Sequence, residues 1–220
     1  MNCCQCQGIE TLFNQKEAAK KLKQYRKAGP EKTTRMLLDA LKAEGVKGMT
    51  LLDIGGGVGA IQHELLKAGA ASATNVEAST AYIDAAKQEA DRQGQVDRVR
   101  HHHGNFVDLA ADILPADIVT LDRVVCCYHD MQALVGLSSA RARKLYGVVY
   151  PHDTWWAKIG LPIENFYFWL QGCPFRAFLH PTEAVEAVVR GNGLERYFYR
   201  KSGVWQVVVY VRRRSQNGNP

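Results

Sequence analysis

A glycine-rich segment in the first third of the chain has the residue types and spacing of a ligand-binding loop. Residues 51–59 read LLDIGGGVG, an apolar run that ends in Asp53 and then turns through Gly55, Gly57 and Gly59. Glycine adopts backbone conformations that other residues avoid, and it lets a ligand approach the main chain closely. Asp53 adds a carboxylate that can accept hydrogen bonds from a cationic amino acid, directly or through water. The segment therefore predicts a strand, a binding turn and the start of a helix.

The same glycines also fit a second kind of site, the dinucleotide-binding turn. Gly55-x-Gly57-x-x-Ala60 matches its fingerprint, in which a helix N-terminus holds a pyrophosphate. Glu77 ends the next predicted strand, where an acid binds ribose hydroxyls in either kind of site. Two features disfavour the dinucleotide. The Asp53 carboxylate would repel a pyrophosphate, and a hairpin predicted near the C-terminus lies outside a simple dinucleotide-binding outline.

Alternating strands and helices must position these residues. Five strands are predicted, at 49–54, 73–76, 99–103, 117–121 and 145–150, with the strongest apolar runs at 49–54 and 117–121. Helical spacing and capping residues predict helices at 9–27, 33–44, 60–67, from Ser79 onward and at 182–189. A turn at 201–203 joins two further strands into an antiparallel hairpin, at 195–200 and 204–212. The pattern predicts an α/β, Rossmann-like fold, with a mostly parallel seven-stranded sheet and helices on both faces.

The acid, the single spacer and the Gly-x-Gly-x-Gly of residues 53–59 resemble the first motif of class I S-adenosylmethionine (SAM)-dependent methyltransferases. The resemblance extends from about residue 50 to residue 212, and the layout is also similar to small-molecule methyltransferases of the magnesium-protoporphyrin type. It implies SAM as the cofactor. It also implies a role for each matching residue. The SAM-binding loop would consist of Asp53, Gly55, Gly57 and Gly59, and Glu77 would bind the ribose hydroxyls. The adenine would lie between Asn105 and Phe106, and the methionine end of SAM would face Leu121, Asp122 and Arg123.

Two of these residues have a further feature that bears on their roles. Many family members have Asp where Asn105 stands, although an amide can still hydrogen-bond to the edge of an adenine. Phe106 is equally well explained as a core aromatic residue. Both residues belong to the predicted cofactor site.

The loop after the fourth predicted strand contains residues able to move a proton. A methyltransferase aligns the acceptor atom with the methyl group, and an oxygen acceptor also has to lose its proton. Tyr128, His129 and Asp130 follow that strand and are the predicted catalytic residues, with His129 as the base. His152, after the fifth strand, is a further candidate. A packing or helix-terminal role is the alternative for His129.

Histidine and cysteine clusters raise the question of a metal site. Residues 101–103 are three histidines in one predicted strand and point to alternate faces, so we expect no metal there. Residues 3–6, CCQC, contain one C-x-x-C, which could hold zinc only with ligands from elsewhere. Cys126, Cys127 and Cys173 are either inert or line an acceptor pocket, where thiols would suit arsenic, selenium or sulfide.

The predicted elements divide the chain into a helical cap at 1–47, a SAM-binding domain at 48–214 and a flexible tail at 215–220. Residues 151–181 are rich in aromatic side chains and are expected to form an irregular, lid-like insertion. A lid of this composition favours an apolar or planar acceptor. Ordinary core packing explains the same aromatic residues.

Charge and composition narrow the class of partner. The net charge is +6, and a solvated helix face with a basic tail explains it without an anionic partner. Residues 121–124 read LDRV in place of the Asn/Asp-Pro-Pro-aromatic motif of many enzymes that methylate base amines. We therefore expect a small-molecule substrate, and nucleic acid is disfavoured. The oligomeric state is left open.

The sequence also bears on location and class. No apolar run is long enough for a membrane span and no signal-peptide core is present, so we expect a cytoplasmic enzyme with reduced thiols. The leading prediction is a SAM-dependent methyltransferase for a small, apolar or planar molecule. The alternatives are a methyltransferase for a soft acceptor, a nucleic-acid methyltransferase, a NAD-dependent oxidoreductase and a SAM-binding protein without catalysis.

Overall fold

The computed structural model describes residues 4–212, with the backbone alone for residues 4–7, 156 and 164. Within that range the strands are β1 (Thr50–Ile54), β2 (Ser72–Glu77), β3 (Val99–His103), β4 (Ala116–Asp122), β5 (Ala142–Pro151), β6 (Leu194–Ser202) and β7 (Trp205–Arg212). They form one sheet in the spatial order β3-β2-β1-β4-β5-β7-β6. Strands β1 to β5 are parallel, and β7 lies antiparallel between β5 and β6. The predicted Rossmann-like sheet with a C-terminal hairpin is confirmed.

Helices cover both faces of this sheet. The α-helices of the described chain are α1 (Cys4–Leu12), α2 (Gln15–Ala28), α3 (Lys32–Ala43), α4 (Ala60–Lys67), α5 (Thr80–Arg92), α6 (Phe106–Leu109), α7 (Met131–Ala140), α8 (Trp155–Leu170) and α9 (Thr182–Gly191). Leu51 and Leu52 are successive residues of β1 and point to opposite faces. Leu51 packs in a core with residues of α3 and α4, and Leu52 packs in a core with residues of α7 and α9.

The strand order places the ends of β1 and β4 side by side at a reversal of direction. From β1 the chain adds β2 and β3 on one side, and β4 and β5 lie on the other side. Buried side chains hold this centre, with Ile118, Val119 and Leu121 of β4 fully shielded from solvent. Loops that follow the carboxyl ends of strands at such a reversal leave a crevice between them. The glycine loop after β1 therefore meets the loop after β4.

The single helix predicted over 9–27 is wrong, because the chain forms α1 and α2 with a break between them. Asn14 lies in the break, and its Oδ1 accepts hydrogen bonds from the N–H groups of Lys16 and Glu17 at 3.0 and 3.3 Å. An asparagine side chain that accepts from these positions caps the helix that follows it. The apolar spacing continues through the break, and this continuity produced the single-helix prediction.

The irregular structure expected over 151–181 is also wrong in part, because residues 155–170 form α8. Pro162 lies inside this helix, where it has no N–H to donate and interrupts the usual helical signal. Contacts beyond Pro162 hold the helix in place. Asn165 exchanges two hydrogen bonds of 2.8 Å with the main chain of Ala177, and the Phe168 ring packs against another aromatic ring.

Some predicted features lie outside the described residues. These are the tail at 215–220 and the thiol groups of residues 3–6. The boundary between cap and domain at residue 47 stays a prediction, as does the lid-like role of 151–181. None of the helices formed by residues 4–212 combines the length and the apolar character that crossing a bilayer requires.

Candidate active site

A cavity of about 700 Å³ opens where the loops after β1 and β4 meet. Side chains from α2, α8 and the segment after α8 complete its walls. Its size lies within the ~300–1,000 Å³ that small-molecule sites span. Most of the predicted cofactor-binding residues line it, namely Asp53, Gly55, Gly57, Glu77, Asn105, Phe106, Asp122 and Arg123. Gly59 and Leu121 do not line it, because Gly59 caps α4 and the Leu121 side chain belongs to the core.

Two positions in the loop after β1 require glycine. Gly55 has a φ of +65°, and a Cβ there would lie 2.4 Å from Cγ2 of Val124. Gly59 has a φ of +82°, and a Cβ there would lie 2.7 Å from Nε2 of His63. Both φ values are unfavourable for residues with a side chain. Gly55 therefore allows the loop after β1 to approach the loop after β4 closely, whereas Gly59 shapes the turn into α4.

Asp53 lies beneath this loop with its side chain almost fully buried. Thr120 donates a hydrogen bond to Oδ1 at 2.6 Å, and the Gln62 amide donates one to Oδ2 at 3.0 Å. Burial raises the pKa of Asp53 to about 7, although these two hydrogen bonds work in the opposite direction. A Cβ on Gly56 would lie only 2.6 Å from Oδ2. The carboxyl group therefore packs directly against the main chain of the loop.

We expect Asp53→Asn to change how stability depends on pH. Because the folded pKa of about 7 exceeds the ordinary 3.8, the folded protein binds more protons between these values, and stability falls as the pH rises through them. Asparagine removes this effect. Gln62 can rotate its amide to accept from the new NH₂ group, since its Oε1 has no hydrogen-bond partner among the described atoms.

Chemical unfolding at about pH 5 and about pH 8 measures this difference, because the two values bracket the upper part of the titration. The free energy of unfolding should fall less for Asp53→Asn than for the unmodified chain. Asp39→Asn, at an exposed position of α3, is the control. If the free energy of unfolding fell equally from pH 5 to pH 8 in Asp53→Asn and in the unmodified chain, the raised pKa of Asp53 would be contradicted.

Glu77 is a second buried carboxyl group, at the end of β2. Its Oε2 accepts from the N–H of Gly57 at 3.0 Å, and its Oε1 accepts from the N–H of Ser79 at 2.9 Å. Burial raises the pKa of Glu77, and the hydrogen bonds from Ser79 and Gly57 oppose that shift. A carboxylate oxygen can accept more than one hydrogen bond. Glu77 therefore anchors the glycine loop and keeps acceptor capacity at the cavity wall.

Asn105 and Phe106 contribute the wall that follows β3. The Asn105 side chain accepts from the N–H of Val107 at 3.2 Å and donates to the Tyr128 hydroxyl oxygen, also at 3.2 Å. Phe106 is buried in the core, and the Arg141 guanidinium lies over its ring at 5.8 Å. The core explanation of Phe106 therefore applies, and the residue also contributes to the cavity wall.

An ion-pair network that the sequence did not reveal joins α2 and α3 to the end of β4. Arg123 has a φ of +62°, which is rare for a residue with a side chain, and its guanidinium pairs with Glu31 and Asp122. Lys21 donates to Glu31 at 2.6 Å, and Thr34 donates to Asp122 at 2.5 Å. Burial works against ionisation of Glu31, but the Lys21 hydrogen bond and the Arg123 charge hold its pKa below the usual value. These contacts fix the N-terminal helices against the cavity.

A cluster of aromatic rings makes part of the cavity wall apolar. Phe175 packs edge to face with Phe13 at 5.9 Å and with Phe168 at 5.5 Å between ring centroids. Leu161 of α8 and Trp205 of β7 add further apolar surface to the lining. The ring planes and aliphatic side chains provide a surface that suits an apolar or planar molecule.

Of the three residues predicted to be catalytic, only Tyr128 lines the cavity. His129 is exposed, and its ring lies 5.1 Å from the ring of Tyr128 and 6.3 Å from that of Phe178. Asp130 is also exposed and caps α7, since its Oδ1 accepts from the N–H of Ala133 at 2.9 Å. The structure therefore does not bring His129 or Asp130 to the cavity. The remaining candidate, His152, contacts the Gly203 carbonyl and lies outside the lining.

Two of the cysteines lie in the cavity wall. Cys126 and Cys127 both direct their Sγ atoms at the Arg123 carbonyl, at 3.6 and 3.4 Å. Cys173 is buried but does not line the cavity. Among the side chains that the structure describes, no group of three or more His, Cys, Asp or Glu residues is arranged to hold a metal ion.

Comparison with known proteins decides the family. A model of the O-methyltransferase domain family matches residues 5–142, which is more than half of the chain. The chain belongs to the O-methyltransferase family. Ribosomal protein L11 methyltransferases of Edwardsiella ictaluri and Erwinia tasmaniensis are 29% and 32% identical to it over 127 residues. Each match covers 54% of this chain and 43% of the relative, so it spans less than half the length of these curated relatives.

Solved structures share the fold of this O-methyltransferase domain. Magnesium protoporphyrin IX methyltransferase from Synechocystis, with bound S-adenosylhomocysteine (SAH), has a TM-score of 0.67 and 18% identity over 82% of both chains. An O-methyltransferase family protein from Burkholderia thailandensis has a TM-score of 0.65 and 19% identity, covering 83% of this chain and 57% of that one. The predicted class I methyltransferase family is confirmed. The domain is a SAM-dependent methyltransferase domain.

The cavity of the O-methyltransferase domain fits its cofactor. SAM presents an adenine, a ribose with two hydroxyls and a cationic amino-acid end. The buried Glu77 carboxyl group, with spare acceptor capacity, suits the hydroxyls, and the Asn105 amide can bond to an adenine edge. Gly55 and Gly57 line the cavity without side chains, so that a ligand can approach the main chain there. The sequence missed the contributions of Lys21, Glu31 and Thr34 because no local pattern connects them to residues 122 and 123.

Proposed function

We propose that this domain transfers the methyl group of SAM to a small acceptor that is apolar or planar. One observation carries the proposal: a single cavity contains both the glycine loop with Glu77 and the aromatic wall at Phe168 and Phe175. A shared volume allows a cofactor and an acceptor to be held in line. The apolar wall then selects the acceptor by shape and desolvation.

Each cofactor-binding residue has a role in this proposal that follows from its position. Glu77 binds the ribose hydroxyls, and Asn105 and Phe106 contact the adenine. Gly55 and Gly57 bring the main chain close to the cofactor. Asp122 and Arg123 act at the amino-acid end. Asp53 supports the loop from beneath it at the cavity wall, and Gly59 and Leu121 support it from outside the lining.

The chain's own residues contribute alignment and exclusion of water. SAM supplies the reactive methyl group on its sulfonium when it is bound. Correct alignment of two reactants can lower a barrier by roughly 7–11 kcal/mol. Asn105 donates to the Tyr128 hydroxyl and thereby holds it in the cavity wall. We assign Tyr128 to positioning the acceptor, and the exposed His129 and Asp130 do not share that location.

The catalytic assignment is tested by comparing Tyr128→Phe with His129→Ala. Tyr128→Phe should lower kcat/KM about tenfold, since loss of one polar contact in the transition state is worth about 1.4 kcal/mol. His129→Ala should change kcat/KM by less than about threefold, because a base in contact with the substrate would contribute roughly a hundredfold or more. Steady-state methyl transfer measures both. The reverse ranking would restore His129 as the base.

The substrate class is tested with labelled SAM and a panel of acceptors. Two results would support the proposal. The unmodified chain should transfer the label to small planar or apolar molecules, and Phe168→Ala should transfer it more slowly while it keeps its affinity for SAH. Transfer only to protein or nucleic acid would overturn it. The panel should use pure fractions of each class, so that the label identifies the acceptor directly.

A protein acceptor is the second candidate function. It is favoured by the relatives named ribosomal protein L11 methyltransferase, of which one is 32% identical to this chain. Purified ribosomal protein therefore belongs in the panel.

A soft acceptor has less support from the structure. Cys126 and Cys127 line the cavity, but Cys173 does not add a third thiol to its lining. Arsenite and selenite complete the panel, and transfer to either should require both cavity cysteines.

A further inference from the structure

Helix α8 is apolar on two opposite faces. Ala157, Leu161 and Phe168 point into the cavity, and Asn165 on the same side bonds to the segment after the helix. Successive helical residues turn by roughly 100°, which places a different set on the far side. This outer face consists of Trp155, Ile159, Ile163, Phe166, Tyr167 and Leu170, whose exposed fractions range from 57% to 75%.

The outer face is larger than the apolar patches of most monomeric proteins. With large side chains of about 150–250 Å² that are more than half exposed, it presents on the order of 700 Å² of apolar surface. The largest patch on a typical monomer is about 300–600 Å². A stable interface between two proteins takes about 800 Å² from each partner. The area therefore matches one side of a dimer.

The charge and the shape of this face favour a second copy of the chain over a lipid surface. Lys158 is the one charged residue among the α8 side chains that the structure describes, whereas binding to anionic lipid needs clusters of basic residues. Trp155, Ile159, Ile163 and Tyr167 follow one another at intervals of four and form a straight ridge. Two such ridges interlock at a crossing angle of about −50°, and a two-fold axis lets the same face serve both partners.

We propose that the outer face of α8 is the interface through which two copies of this chain form a symmetric dimer. The inner face of the same helix contributes apolar side chains to the cavity wall, so the dimer also holds that wall in place. The proposal concerns assembly and does not depend on the identity of the acceptor.

Sedimentation velocity of the purified chain between about 1 and 100 µM tests the interface, because this range covers dimers of ordinary affinity. We expect a species of twice the monomer mass. Ile163→Asp and Ile159→Asp should each weaken the dimer at least about tenfold, as substitutions near the centre of an interface do. Leu114→Asp is the matched control, since Leu114 is 79% exposed outside α8. It should leave the dimer unchanged.

Circular dichroism and thermal unfolding separate loss of the interface from loss of the fold. Both α8 variants should keep the helical signal, because the substituted side chains are exposed. A monomer at all concentrations would overturn the proposal, and so would a dimer that survives in both variants. If the chain were a monomer that binds phosphatidylserine vesicles through this face, the partner of the face would be a membrane, and the dimer proposal would also be overturned.

Discussion

Glu77→Gln should reduce the affinity for SAM by about ten- to a hundredfold. The Glu77 carboxylate accepts from the N–H groups of Gly57 and Ser79, and its remaining capacity serves the ribose in our proposal. In Glu77→Gln the side-chain NH₂ group, a donor, replaces one acceptor oxygen. At least one of the Gly57 N–H, the Ser79 N–H and the ribose hydroxyls then loses its acceptor. Hydrogen bonds to a charged acceptor are worth about 1.5–3 kcal/mol, and each 1.4 kcal/mol corresponds to a tenfold change in affinity.

The control for this substitution is Glu10→Gln, another carboxylate near the start of α5. Glu10 accepts from the main chain of Thr80 but does not line the cavity. Its substitution should leave the calorimetric dissociation constant for SAM within about twofold of that of the unmodified chain, because ordinary surface substitutions change free energies by no more than about 0.5 kcal/mol. Equal affinities in Glu77→Gln and the unmodified chain would remove Glu77 from the cofactor site.

Gly55→Ala should lower both cofactor affinity and stability. The left-handed backbone of Gly55 disfavours a Cβ by about 1–2 kcal/mol. The added methyl group would also lie 2.4 Å from Cγ2 of Val124, so that the loops after β1 and β4 must move apart. We expect the free energy of unfolding to fall by about 2–4 kcal/mol and SAM affinity to fall at least about tenfold.

Gly94→Ala separates these two effects. Gly94 has a φ of +64°, nearly the same as Gly55, but a Cβ there would meet no atom within 4 Å. Its substitution should therefore cost only the backbone strain of about 1–2 kcal/mol and leave SAM affinity unchanged. Urea unfolding and calorimetry on both variants make the comparison. If Gly55→Ala behaved like Gly94→Ala, the close approach of the loop to Val124 would have no role in binding.

The sequence was sufficient for the sheet and for most of the proposed cofactor-binding residues that line the cavity, because both depend on local signals. Apolar runs, turn residues and the alternation with helices predict the strands, and the glycines after β1 predict the loop whose φ values demand them. Glu77 and Asn105 were found because Glu77 ends β2 and Asn105 lies two residues after the end of β3. Parallel strands bring such residues to the same edge of the sheet.

The sequence was insufficient where long-range contacts decide the structure. The pairing of Arg123 with Glu31 joins residues far apart in the chain, and no pattern near either residue indicates the other. Pro162 concealed α8, because a proline inside a helix is normally a stop signal. No helix was predicted between the fourth and fifth strands, where α7 begins after its cap at Asp130. The position of that cap is what places His129 outside the cavity.

The most direct test of the central claim is a calorimetric titration of the purified chain with SAM, SAH and NAD. We expect binding of SAM and SAH at one site per chain and no binding of NAD. The Glu77 carboxyl group and the glycine loop should then account for most of that affinity. Binding of NAD alone, or of neither adenosyl compound, would contradict the assignment of this cavity to SAM-dependent methyl transfer.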